Sequence, residues 1–144
     1  MKLQQLSLFV ENRPGALRAP CDVLAAAGIN VLTVSLADTT QFGVLRLIVP
    51  DPEKAQKVLE AAGMIAKVTE VVTVEVEHKP GGLAAILRVI EEAGLGVEYM
   101  YDCGVAGKAG KAAIIFRFDD PDAAVKALTA GGVRVLSREE VLGS

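Results

Sequence analysis

Glu11-Asn12-Arg13-Pro14-Gly15-Ala16-Leu17 returns 66 residues later as Glu77-His78-Lys79-Pro80-Gly81-Gly82-Leu83. The same spacing carries Gly28 to Gly94 and Val31 to Val97, so what repeats is a whole supersecondary unit and not a heptapeptide. Farther on, Asp51-Pro52 recurs as Asp120-Pro121 at a spacing of 69, which places three extra residues in the second copy. A duplication on this scale divides the 144 residues into two modules, 1–70 and 71–144. Each would be marginal alone, since a module of this size buries only about 60% of its unfolded surface.

Outward from the repeated turn the copies agree element by element. Leu6, Leu8 and Val10 alternate with polar residues ahead of the first turn, and Val72, Val74 and Val76 do so ahead of the second, the period of two of a half-buried strand. After the turn, Leu17, Cys21, Leu24 and Ala27 recur at helical spacing, and Leu83, Leu87, Ile90 and Ala93 repeat the pattern. Gly28 and Gly94 stand where these helices stop. Pro20 is at odds with a helix interior unless the helix begins late.

Second strands are expected over 30–37 and 96–103, and third strands over 44–49 and 113–118. In the third strands Leu45, Leu47 and Val49 match Ile114, Phe116 and Phe118 as the side facing the helices. Asp51-Pro52 and Asp120-Pro121 open second helices, Asp as cap and Pro at the first helical position. These helices end at Gly63 and at Gly131-Gly132, and short final strands follow near 65–69 and 133–136. The order β-α-β-β-α-β in each copy is the ferredoxin-like split βαβ unit. The fold class is therefore α+β: two tandem modules, each an antiparallel sheet with its helices on one face and the other face open.

Composition narrows the partners. Fifteen basic and eighteen acidic residues give a net charge of −3, spread over both halves without a basic patch. Phosphate neutralisation and attraction to anionic lipid are disfavoured, so neither a nucleic acid nor a membrane is expected. With no signal-peptide core and no long uninterrupted apolar stretch, a cytoplasmic location is expected. The 51% hydrophobic content and mean hydropathy of +0.39 imply that some apolar surface meets a partner.

Reactive constellations are scarce. His78 is the single histidine, Cys21 and Cys103 do not form a Cys-x-x-Cys pair, and no metal, cofactor or catalytic residue is expected. Both thiols read as small core residues. The glycine-rich stretch 104–112 fails as a phosphate cradle, because Val105 and Ala112 occupy the positions that need glycine and Ser or Thr, so it reads as a hairpin loop. An RNA-binding sheet of this topology would need aromatics on its central strands, where only Phe9 is suitably placed. Tyr99 and Tyr101 share a strand face, open to sheet packing or to ligand contact.

What remains is the repeated Pro-Gly turn. A strand that turns through Pro-Gly into a helix presents main-chain N–H groups with the helix dipole behind them, a setting that favours an anion such as an α-carboxylate. A plain tight turn is the other reading of the same residues.

At this point the residues resemble the ACT domain, the amino-acid-binding regulatory module of biosynthetic enzymes. Residues 11–17 followed by Ala27-Gly28-Ile29-Asn30-Val31 are similar to the matching stretch of the phosphoglycerate dehydrogenase regulatory domain, and the likeness covers nearly the whole chain as two tandem copies. The resemblance implies a ligand at the interface of two ACT modules. Asn12 matches the family's ligand-binding asparagine, Gly15, Ala16 and Leu17 its backbone donors, and Arg13 and Pro14 complete the turn. In the second copy His78 replaces that asparagine, followed by Lys79 and Pro80, with Gly81, Gly82 and Leu83 in the donor positions. The dehydrogenase module has a histidine two residues before its asparagine where this chain has Val10, so serine specificity does not carry over.

With both copies used up by residue 144, the chain is similar to small stand-alone tandem ACT proteins. The resemblance then implies a non-enzymatic sensor of a free amino acid, acting as a homo-oligomer, with a dimer expected. The alternative it implies is a ligand-independent interaction subunit that docks on a biosynthetic enzyme.

Overall fold

β1 (Leu3–Glu11) buries Leu6 and Leu8 and exposes Phe9 in a computed structural model, which describes residues 2–38, 41–104 and 110–143. The turn after it leads into α1 (Arg18–Ala26), then β2 (Thr33–Asp38), β3 (Phe42–Ile48) and α2 (Pro52–Ala61). β4 (Ala66–Glu77) opens the second passage, followed by α3 (Gly82–Glu92), β5 (Val97–Asp102), β6 (Lys111–Phe118), α4 (Pro121–Ala130) and a short α5 (Arg138–Leu142). The chain divides into two compact units, Gln4–Thr69 and Glu70–Ser144, the latter taking in Met1–Leu3.

In the first unit β3 lies between β1 and β2, antiparallel to both, with Leu47 opposite Leu6 and Val34. Leu6, Leu8, Leu45 and Leu47 from the sheet pack with Leu24 of α1 and with Ala55 and Leu59 of α2 into one core. In the second unit β6 lies between β4 and β5, with Val72 opposite Phe116 and Val74 opposite Ile114. Val72, Val74, Phe116 and Phe118 close on Ile90 of α3 and on Ala124 and Leu128 of α4. Each unit is thus an antiparallel sheet with two helices on one face, the ferredoxin-like plan read from the repeat. Phe116 and Phe118 stack inside this core at 5.4 Å between ring centroids, which removes them from any base-stacking surface.

The caps explain why the second helices start where they do. Asp51 accepts the N–H of Lys54 and Asp120 that of Ala123, both at 3.1 Å, with Pro52 and Pro121 in the first turn. The late start also accounts for Pro20. α1 begins at Arg18, so Pro20 sits in the first turn, where a missing N–H forfeits little, and its ring is buried.

Several expectations are revised. The residues near 65–69 do not end in a separate strand: nothing between Ala66 and Glu77 breaks a run rich in Val and Thr, so a single twelve-residue strand forms. The last strand, near 133–136, is reduced to one bridge between Val135 and Val74, flanked by Glu75 N–H to Arg134 O at 3.0 Å and Leu136 N–H to Thr73 O at 2.8 Å. Cys103 is buried as expected, but Cys21 is exposed. The side of α1 that packs is Pro20, Val23 and Leu24, one position round from the expected stripe, and Leu17 is left 43% exposed. α3 repeats the rotation with Ile86, Val89 and Ile90, leaving Leu83 and Leu87 outside. Of the glycine-rich stretch, residues 105–109 lie outside the described residues.

α5 is an addition to the expected plan. Val135 faces the helical core, so its neighbours Arg134 and Leu136 lie on the opposite sheet face. Arg134 is ion-paired there with Glu75, at 3.0 Å, and with Glu140 of α5. Leu136 and Val141 are buried, as are Thr73, Ala113 and Ile115 on that same face of β4 and β6. The second unit therefore carries a helix over the face that the repeat alone would leave open.

Candidate functional site

Both repeated turns are built by the same main-chain hydrogen bonds. Asn12 N–H donates to Gln41 O at 3.0 Å and Arg13 N–H to Glu11 O at 2.9 Å, ending β1. His78 N–H donates to Gly110 O at 3.1 Å and Lys79 N–H to Glu77 O at 3.0 Å in the second copy. Ala16 N–H then closes onto Arg13 O, and Gly82 N–H onto Lys79 O, at 3.2 and 3.0 Å. Of the three donors implied in each turn, the middle one is thus already used. Gly15 and Leu17, like Gly81 and Leu83, make no main-chain N–H bond to another described residue outside the helices.

Gly15 and Gly81 have φ of +86° and +85°, and a Cβ on either would meet nothing within 4 Å. The left-handed conformation is what turns the strand into the helix, and the open space beside it leaves the backbone approachable. Asn12, Arg13, Pro14, His78, Lys79 and Pro80 are all exposed around these glycines, while Ala16 is half-buried and Gly82 buried.

Clefts converge on the turns. In the first unit a cleft of about 610 Å³ lies between the turn, through Arg13, Gly15 and Ala16, and the α2–β4 connection, through Gly63, Met64 and Ile65. A smaller one of about 410 Å³ lies on Asn12, Pro14 and Leu17 with Leu36 of β2 and Gly43 of β3. In the second unit a cleft of about 470 Å³ runs from Lys79, Gly81 and Gly82 to Gly132, Val133 and Arg134. By the repeat spacing it is the counterpart of the 610 Å³ cleft.

The counterparts differ in chemistry. Phe9 and Ile65 in the first cleft, 80% and 89% exposed, correspond to Glu75 and Arg134 in the second. Arg13 is paired through Nε with Glu11 at 2.7 Å, whereas Glu77 at the matching position pairs with Lys111. The Glu140 carboxyl is held below its ordinary range, first by the Ser137 N–H and then by Arg134, whose guanidinium is in turn pushed up by Glu140. None of Phe9, Ile65, Glu75 or Arg134 is among the ligand-binding residues that the sequence implied. The signal was available in the repeat, where an apolar pair in one copy aligns with an opposite-charge pair in the other.

Among the described residues no group of three or more His, Cys, Asp or Glu side chains could hold a metal ion, and no helix is long and apolar enough to cross a membrane. Tyr99 and Tyr101 stand 6.5 Å apart between ring centroids, stacked along β5.

A family described as the ACT domain pair matches residues 1–141. The crystal structure of protein BT0572 from Bacteroides thetaiotaomicron is 32% identical, with 100% of this chain and 98% of that one covered and a TM-score of 0.90. The regulatory subunit of aspartate kinase from Thermus thermophilus, in its ligand-free form, is 19% identical over 88% of this chain and 91% of that one, with a TM-score of 0.63. The corresponding subunit from Thermus flavus is 17% identical over 91% and 92%, with a TM-score of 0.60. These two show the shared fold. No curated protein sequence matches the chain.

Proposed function

Since the chain belongs to the ACT domain family as an ACT domain pair, we propose that it is a non-enzymatic regulatory protein that binds a free amino acid on its β1–α1 turn. The single observation that carries this reading is the state of Gly15. Its N–H has no main-chain partner among the described residues, its left-handed backbone is open to approach, and clefts of about 610 and 410 Å³ meet at it. A main-chain donor at the entry to a helix, with the positive end of the dipole behind it, suits an α-carboxylate. Arg13 adds a cation and Glu11 a counter-charge for an α-ammonium group.

β2 is the edge strand beside the smaller cleft, with Val34 and Leu36 exposed along it. In this reading a second copy of the chain meets that edge, which makes the working form a dimer and lets an ACT module of another chain complete the ligand's enclosure.

A thermal-shift screen of the free amino acids tests the proposal. A ligand at a hundredfold excess over its dissociation constant adds about 2.7 kcal/mol, an increase of several degrees in a domain of this size. Flat melting curves with every amino acid would remove the reading.

The same exposed apolar residues favour a second reading, a subunit that docks on a biosynthetic enzyme without needing a ligand. Capture of one enzyme from a lysate, to the same extent with and without amino acids, would support it, whereas amino-acid-dependent capture would return the case to the first.

A further inference from the structure

We infer that the cleft of about 610 Å³ on the first turn and its counterpart of about 470 Å³ on the second have diverged: only the former takes ligand, one per chain, and the ligand is an α-amino acid with a large apolar side chain. The inference rests on the amino-acid reading above and adds which site is competent and what it selects.

The second cleft is occupied by its own chemistry. Arg134 bridges Glu75 at 3.0 Å and Glu140, and Lys111 bridges Glu77. Glu140 is itself fixed by the capping box that starts α5, with Ser137 Oγ accepting from Glu140 N–H at 3.2 Å. A zwitterion entering there must compete with ion pairs that already satisfy one another, and a large apolar side chain meets charged groups along that wall. One backbone feature tightens the site further. Gly82, where the first copy has Ala16, is buried, and a Cβ on it would stand 1.9 Å from Glu77 O.

The first cleft has the opposite character. Phe9 and Ile65 stand at 80% and 89% exposure, the most exposed of the large hydrophobic side chains described, and both line the same cleft with Met64 and Pro20. Side chains of this kind are usually withdrawn from water, and a volume of about 610 Å³ is within the range of small-molecule sites. Arg13 spends only its Nε on Glu11, so its Nη groups have no partner among the described residues. Cation, free N–H and carboxylate are therefore grouped at the turn end of the cleft and apolar surface at the other, the polarity of an amino acid whose side chain is hydrophobic.

Isothermal titration of the full chain with leucine, isoleucine, phenylalanine and methionine, and with serine, aspartate and lysine, is the test. The expected result is one ligand per chain and an affinity at least about tenfold higher for an apolar member than for the polar set. Transplanting the second cleft's pair, as Phe9→Glu with Ile65→Arg, is expected to abolish binding. The milder Ile65→Ser is expected to weaken it, with circular dichroism unchanged because the residue is exposed. Arg134→Ala is expected to leave the affinity of the first cleft as it was. If no amino acid binds, the parent reading fails and takes this one with it. Two ligands per chain, a preference for polar amino acids, or full affinity in the Phe9/Ile65 double variant would each overturn the inference while leaving the parent reading standing. A double variant that changes only the oligomeric state would overturn it too, by assigning those side chains to a contact between copies.

Discussion

A Cβ placed on Gly82 would stand 1.9 Å from the carbonyl oxygen of Glu77, in a turn whose counterpart carries Ala16 without difficulty. The two turns share hydrogen bonds and φ at Gly15 and Gly81, yet the second helix begins at Gly82 itself, whereas the first begins at Arg18, two residues beyond Ala16. The obstructing atom is backbone, so it cannot rotate away.

Gly82→Ala is therefore expected to destabilise the protein by about 1–3 kcal/mol, the ordinary range for overpacking, despite the higher helix propensity of alanine. Urea unfolding of Gly82→Ala beside Ala16→Gly measures it. Equal midpoints for the two would contradict the close approach.

The positive φ of Gly15 and Gly81 leads to a different expectation. A Cβ there meets nothing, so the cost of Gly15→Ala or Gly81→Ala is the left-handed backbone alone, about 1–2 kcal/mol. Asparagine, which tolerates that conformation, should cost less than alanine at either site. Thermal unfolding of the four variants checks the order.

Core substitutions should be symmetric across the repeat. Leu24 and Ile90 are equivalent and buried, and each replaced by alanine is expected to lose about 2–5 kcal/mol. Leu87→Ala, at a partly exposed position of the same helix as Ile90, should lose under about 1 kcal/mol. Denaturant midpoints decide it.

That contrast shows what the sequence could and could not disclose. The 66-residue spacing located strands, helices and both turns because each copy had to satisfy the same backbone pattern. It did not fix which stripe of α1 packs, since Leu17, Pro20, Cys21, Val23 and Leu24 leave two adjacent apolar stripes and periodicity cannot choose between them. Pro20 belongs to the side that packs, and α3 presents the same side with Ile86 in its place, so the choice follows from the shared fold and not from the proline. α5 was legible in principle, because Ser137-Arg138-Glu139-Glu140 has the spacing of a capping box and forms one. The divergence of the clefts was legible only in part: the repeat aligns Phe9 and Ile65 with Glu75 and Arg134, but these two residues lie 56 positions apart and share a cleft only once the fold brings β1 to the α2–β4 connection.

The α5 contact should respond to acid. Glu140 has its carboxyl held below the ordinary 4.5 by the Ser137 N–H and by Arg134, so its contribution is complete above that value and is lost as pH falls through the lower, folded-state one. The methyl resonances of Val141 are expected to stay constant from neutral pH down to the ordinary glutamate range and to move toward their unstructured positions only in more acid solution. Glu140→Gln should show the displaced positions already at neutral pH. A Val141 signal indifferent to both would mean that the ion pair and cap do not hold the helix in place.

The final expectation separates the two turns by ligand. The Asn12 side chain has no hydrogen-bond partner among the described residues, lies on the turn whose clefts are open, and matches the asparagine that the family resemblance marks for ligand contact. His78 occupies the same place on a turn whose cleft is bridged by Arg134, Glu75 and Glu140. Losing one hydrogen bond to a charged ligand group corresponds to about 1.5–3 kcal/mol, or roughly ten- to a hundredfold in affinity. Asn12→Ala should therefore weaken amino-acid binding by that factor while His78→Ala leaves it unchanged, and both, being exposed, should melt close to the parent chain. Titration calorimetry on the two variants reads the difference directly. Equal losses would mean that both turns bind ligand and that the ion pairs of the second yield to it.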